Sequence, residues 1–273
     1  MSALIKVILW SFFLFPIFWI VLISVQPENT AFFGKYKIIP EIITLDAYND
    51  AIYNKRGGVI KSILYSFRVS GISTLLSFVF AISAIYMVRV DIISDALRSG
   101  LYKFSVGLYF LPVFLIYPGI DFLSGFIGVF DNTLIKLIYV NVILGYVICF
   151  FLLMLIYVDS EKKYFEQLLL ETGSRIYAFY YGVIVPNYNK IIYAACLTFA
   201  TIWGEFYLSN FITTFDIDKP FSVILQMSQE QYSTEYSVFA VGAVLSFIAF
   251  MVFYGFISMF AYAFKYLITK EYS

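Results

Sequence analysis

The chain has 273 residues, 62% of them hydrophobic and 21% aromatic, against only 13% charged. A soluble globular domain carries about a quarter charged residues and roughly 45–50% apolar ones, so this composition, with a mean hydropathy of +0.86, excludes a water-soluble body, a disordered chain, a coiled coil and collagen. Basic and acidic residues balance at 18 each, which leaves no basic face for nucleic acid, and the absence of histidine removes the commonest metal ligand and general base.

What remains is a polytopic membrane protein. A helix crossing the hydrocarbon core needs about 20 mostly apolar residues. In chain order, six stretches meet that length: about 4–25, 60–88, 104–126, 134–158, 191–213 and 237–264. The expected fold is all-α, one transmembrane domain over residues 1–273. The first stretch exceeds a signal-peptide core and has no small-residue cleavage site after it, so it is expected to stay as a helix. Pro16, Pro112 and Pro118 fall within spans, where a proline frees a carbonyl and kinks the helix. Between the first two spans, residues 26–58 carry Pro27, Pro40 and Gly57-Gly58 and read as an extracytoplasmic cap. Cys149 and Cys196 both lie in apolar runs and read as packing residues, so neither a metal site nor a cofactor is expected.

Lysine and arginine are denser on the side holding both termini and the loops 89–103 and 159–190, among them Lys6, Arg98, Lys103, Arg175, Lys190 and Lys265. The positive-inside rule makes that side cytoplasmic. The expected location is therefore the cell membrane, multi-pass, with both termini inside. The last outer loop, 215–236, is acidic, with Asp216, Asp218, Glu230 and Glu235 against Lys219.

The inner loop 159–190 has helical periodicity. Phe165, Leu168, Leu169 and Ile176 share one face, while Lys163, Glu166, Gln167, Glu171 and Ser174 fall largely elsewhere. Gly173 interrupts the pattern and Pro186 closes the loop. An amphipathic helix between two spans must cover its apolar face with the lipid interface or with a groove on a partner. The segment is not strongly basic, which favours the partner.

At these residues the chain resembles the permease subunits of binding-protein-dependent ABC importers, whose cytoplasmic loop reads E-A-A, three residues, G, nine residues, I-x-L-P. Gly173 and Pro186 keep that spacing, and Val183 and Val185 stand at the I and L positions. Gln167, Leu168 and Leu169 occupy E-A-A, with Glu166 one place earlier and Thr172 where the family usually has aspartate. Trp203-Gly204-Glu205-Phe206 looks like the W-N-E-F of the carbohydrate (MalG-like) branch. Thr44-Leu45-Asp46-Ala47-Tyr48 resembles its T-L-x-N-Y, and Asp131-Asn132-Thr133 its L-x-N-T. The stretch from Ala84 to Arg89 is similar to its A-Y-A-L-A-R.

The resemblance implies a type I importer (MetI-like) architecture: six transmembrane helices and a coupling helix between the fourth and fifth. It implies a transport subunit rather than an enzyme, with ATP hydrolysed by a partner pair of ABC ATPase subunits. The chain itself has no G-x-x-x-x-G-K-[ST] pattern. Glu166, Gln167, Leu168, Leu169, Gly173 and Pro186 would form the ATPase-coupling segment, with Leu168 and Leu169 as contacts. The other implied partners are a second, homologous permease chain, an extracytoplasmic solute-binding protein and membrane lipid, with no nucleic acid. The implied cargo is a sugar. Glycerol phosphate, a polyol or a peptide would suit the same machinery. A membrane-embedded lipid-modifying enzyme is the alternative of another class, although D-D-x-x-D and H-E-x-x-H are both absent.

Away from the end turns of the expected spans, which hold Lys6, Lys61 and Lys136, three charges fall within them: Arg68, Asp121 and Glu205. A charge near the bilayer centre costs about 2.5–3.5 kcal/mol on insertion scales, so such groups usually face a bundle interior or an aqueous cavity. One reading makes them, with Trp203, the lining of a solute path, Arg68 pairing with Asp121 or Glu205. The other makes them structural pairs or side chains snorkelling to the interface.

Overall fold

The structure, a computed structural model, describes residues 3–27, 40–53, 59–89, 94–110, 118–119, 122, 132–159, 162–214, 218–230 and 236–271. Among them the regular elements are all helical. In chain order they are α1 (Ala3–Ser24), α2 (Asp46–Tyr53), α3 (Val59–Arg89), α4 (Asp95–Phe110), α5 (Thr133–Asp159), α6 (Lys162–Thr172), α7 (Arg175–Phe179), α8 (Tyr188–Trp203), α9 (Tyr207–Ile212), α10 (Phe221–Glu230) and α11 (Tyr236–Glu271). Between α7 and α8 the backbone passes through a π-helical turn, Tyr180–Ile184, and a 3-10 turn, Val185–Asn187.

Among the described residues four helices are long and apolar enough to cross a membrane: Ile5–Ser24, Val59–Val88, Thr133–Ile156 and Phe239–Tyr262. They match the first, second, fourth and sixth expected spans and are consistent with a polytopic membrane protein. The third expected span departs from its boundaries, because α4 already begins at Asp95. Most of the remainder of that span, with Pro112 and Asp121, lies outside the described residues. The fifth, expected as one helix over 191–213, is broken: α8 ends at Trp203 and α9 begins at Tyr207.

The chain divides into two compact units. The first comprises Met1–Ser66 and Phe215–Met251. Its small core sets Ala47 and Ala51 of α2 against Val241 of α11, with Tyr48, Val59 and Leu245 packed around them. Polar contacts fix the chain entering α2: Thr44 N donates to the Val25 carbonyl at 2.9 Å, and the Ser24 and Tyr48 hydroxyls share a hydrogen bond of 2.9 Å.

The second unit comprises Phe67–Thr214 and Val252–Ser273, and α5 runs through its centre. Asn132 starts α5 by accepting a hydrogen bond from Leu134 N through Oδ1 at 2.9 Å, which gives the asparagine of the Asp131-Asn132-Thr133 stretch a capping role. The serines of α3 lie across the α5 backbone: Ser73 donates to the Ile138 carbonyl at 3.3 Å and Ser77 to the Val142 carbonyl at 3.0 Å. Donor and acceptor advance together by four residues, so α3 and α5 run parallel. Against α8 the order reverses. Cys149 Sγ lies 3.1 Å from Thr198 Oγ1, and a Cβ on Gly145 would meet Ile202 Cδ1 at 2.9 Å, so α5 and α8 are antiparallel. One end of this trio is closed by an apolar core of Ala81, Ala84 and Ile85 from α3 and Cys149, Phe150, Leu153 and Ile156 from α5, together with residues of the segment that follows.

Candidate functional site

The segment after α5 is two short helices joined at a glycine. Gly173 has φ +65, a left-handed conformation that side chains with a Cβ rarely adopt, and its N–H bonds the Leu169 carbonyl at 2.9 Å. The two residues around it satisfy the helix ends. Thr172 Oγ1 donates to the Leu168 carbonyl at 2.7 Å, and Ser174 caps α7 by accepting from Tyr177 N at 3.4 Å. Helix, left-handed glycine and capped helix are thus encoded in three consecutive residues.

Phe165 of α6, Ala178 and Phe179 of α7, and Val183 of the π turn are buried in the core formed by α3 and α5. A Cβ on Gly182 would stand 3.2 Å from Phe165 Cα, so the π turn lies directly on the α6 backbone. Tyr86 of α3 meets Phe179 edge to face at 5.2 Å. The segment is therefore fixed to the ends of two long helices and does not hang free. Partial burial pushes the Tyr180 phenol above its ordinary value.

Among the sequence-derived residues, Glu166 and Gln167 are exposed, and Gln167 Nε2 donates to Glu171 Oε1 at 2.8 Å. Leu168 and Leu169 are half-buried against the same core as Phe165. Pro186 is exposed in the 3-10 turn. The apolar side chains turned fully outward are different ones: Leu170 at 87% exposure and Ile176 at 71%. The break at Gly173 is the reason. It ends the α6 periodicity, so Ile176 does not continue the face of Leu168 and Leu169.

The second notable place is the break between α8 and α9. Gly204 closes α8, its N–H bonding the Ala200 carbonyl at 3.0 Å. Glu205 then opens α9: Oε1 accepts from Leu208 N at 2.8 Å, and Oε2 accepts from Ser209 N at 2.9 Å and from Ser209 Oγ at 2.8 Å. These charge-assisted bonds serve amides that an interrupted helix leaves without intrahelical partners. Trp203 sits at the end of α8 with its ring 5.6 Å from Phe199, which stacks on Phe253 at 3.7 Å. Phe67 meets both Phe199 and Phe253 edge to face, at 5.8 Å and 6.2 Å. Arg68, the next residue of α3, is exposed, and Asp121 lies outside the described residues.

Sequence inspection missed the π turn at Gly182 and the helix break itself. The break had a signal, since a glycine followed by a carboxylate three and four residues ahead of Leu208 and Ser209 is an end-and-start pattern. No protein-family model matches the chain, and no curated protein matches it.

Proposed function

We propose that the chain is the transmembrane permease subunit of an ATP-driven, binding-protein-dependent importer of type I (MetI-like) architecture, with a sugar as its cargo. The observation that carries this reading is the α6–Gly173–α7 segment. It follows a helix long enough to span the bilayer, is seated on the ends of α3 and α5, and turns Leu170 and Ile176 outward. An exposed apolar pair on a rigidly seated helix suits a partner's groove. A motion delivered there would reach α3 and α5 through Phe165, Phe179 and Val183, the contacts an energy-coupling element needs.

In this proposal there are six crossings. The third passes through 104–126, and α8 and α9 together make the fifth. Both termini face the cytoplasm, and the partners are two ATPase subunits, a second permease and an extracytoplasmic binding protein. The helix break at Gly204–Phe206 fits the assignment, because discontinuous helices in transporters line the path where irregular backbone meets water or solute.

Copurification tests the proposal. The tagged chain, extracted from its native membrane in mild detergent, should bring with it an ATPase subunit bearing a Walker motif and a second permease of similar length. Recovery of the chain without an ATPase, under conditions in which it remains monodisperse, would refute the importer assignment.

A further inference from the structure

Two consecutive residues keep the α6–α7 segment from running into α8 as one regular helix. Pro186 has no N–H to offer the turn before it, and its ring excludes the carbonyl one turn back, that of Gly182. The backbone goes round this obstacle by widening ahead of it and tightening at it. Val185 N–H reaches back five residues to the Tyr180 carbonyl, the bond of the π turn, and Val185–Asn187 form the 3-10 turn. Asn187 then leaves helical geometry, at φ -106 and ψ 15. In a continuous helix the Val183 carbonyl would accept from the backbone N–H of Asn187. Here it accepts from the side chain of the same residue, Nδ2 donating at 2.9 Å. A side-chain bond thus bridges the place where the winding changes.

The chain is anchored on both sides of this joint. Upstream, Gly182 lies on the Phe165 backbone and Val183 is buried in the core of α3 and α5. Downstream, α8 is held against the middle of α5, through Thr198 on Cys149 and Ile202 on Gly145. Between the two anchors the packing is incomplete. A cavity of about 10 Å³ is bounded by Phe179, Val183 and Ile184 of the segment, Ile191 of α8, and side chains of α3 and α5. It is apolar and holds no more than one water-sized sphere, so it is no ligand site. The side chains facing it lack close neighbours on that side and have room to shift. Prolines and π turns are the usual causes of a bend in a helical path, and π turns recur at functional places.

We propose that Tyr180–Asn187 is a hinge between the segment seated on α3 and α5 and the start of α8, with the bond from Asn187 to Val183 as its latch. The use of the hinge rests on the importer assignment: a push received at Leu170 and Ile176 shifts the segment and the helix ends beneath it without unwinding α8. Its existence does not, and amide hydrogen exchange on the purified full chain in detergent tests it directly.

In the wild-type chain the amides of residues 183–187 should exchange about tenfold faster than those of Ala194–Thr198 in α8. Pro186→Ala supplies the missing N–H and removes the ring, so exchange at the joint should slow by about fivefold, the weight of one hydrogen bond. Asn187→Leu removes the latch and should quicken it by about as much. The opposite signs are the signature, because a merely structural turn is loosened by both substitutions. A wild-type joint as protected as α8, or two variants that shift exchange in the same direction, would overturn the proposal. A variant that fails to fold loses protection at 194–198 as well, and the wild-type comparison then decides. A chain that brings its ATPase but has a joint as protected as α8 refutes the hinge alone. A chain with the hinge and no ATPase refutes the importer assignment alone.

Discussion

The helix break at Gly204–Phe206 yields the most direct energetic test. Glu205→Ala removes the acceptor of two backbone N–H groups and one hydroxyl at a half-buried position. Loss of one side-chain acceptor at a helix start costs about 0.5–2 kcal/mol. With two amides affected, the upper end applies, about 2 kcal/mol. For a chain of this size 1 kcal/mol corresponds to about 2–4 °C in melting temperature, so the fall should be roughly 4–8 °C. Glu205→Gln keeps Oε1 as an acceptor for Leu208 N, while its amide nitrogen cannot accept from Ser209 N. About half the loss is therefore expected. Tryptophan fluorescence on heating the purified chain in detergent provides the measurement, with Trp203 at the break itself. The order wild type, glutamine, alanine distinguishes capping from an ion pair with Arg68, since an ion pair would make glutamine as damaging as alanine. A Glu205→Ala variant melting within 1 °C of wild type would refute the capping argument.

Gly173→Ala forces a Cβ into a left-handed backbone and should cost about 1–2 kcal/mol, with Gly173→Asn milder, read from the same melts. Gly182→Ala sets a methyl 3.2 Å from Phe165 Cα, a backbone atom that yields only if α6 shifts; overpacking of this kind costs about 1–3 kcal/mol and should also lower coupling between ATP hydrolysis and uptake. Leu170→Asp with Ile176→Asp alters only exposed positions, so stability should change by less than about 0.5 kcal/mol while the copurifying ATPase is lost; an intact complex would remove these two residues from the contact. Ser174→Ala should cost about 1 kcal/mol through its cap on α7.

Composition and span length made the membrane class and four of the long helices legible, because a helix must bury about 20 apolar residues whatever its neighbours do. The glycine joint was equally legible, since Gly173 interrupts the periodicity and serves as the left-handed stop of α6. Assignment of Leu168 and Leu169 was harder. Periodicity reports that a face is apolar but not which surface covers it, and here the ends of α3 and α5 cover it in part. The continuous fifth span was over-read because hydropathy ignores backbone bonding. Residues 204–206 are too few to lower the average of the apolar run around them, yet the Glu205 carboxylate supplies a new helix start among them. The α3 serines were hidden for the opposite reason, as small polar residues scattered through a long apolar run barely lower its mean.

The winding of the backbone from Arg175 to Trp203 has one more consequence. An α turn, a wide π turn, a tight 3-10 turn and a second α stretch follow one another, with helical dihedrals at the junction residues Phe179, Tyr180, Ile184, Val185 and Tyr188, while Asn187 departs at φ -106 and ψ 15. Each residue of an α-helix advances the azimuth by about 100°. The wide turn at Tyr180–Ile184 takes up its extra residue by winding less per residue, so deleting one residue there would restore ordinary pitch and leave Ile176 on nearly the same bearing relative to α8. The loosely wound coil thus works as slack in the chain, whereas the same deletion inside α8 would turn the outward surface by about 100°.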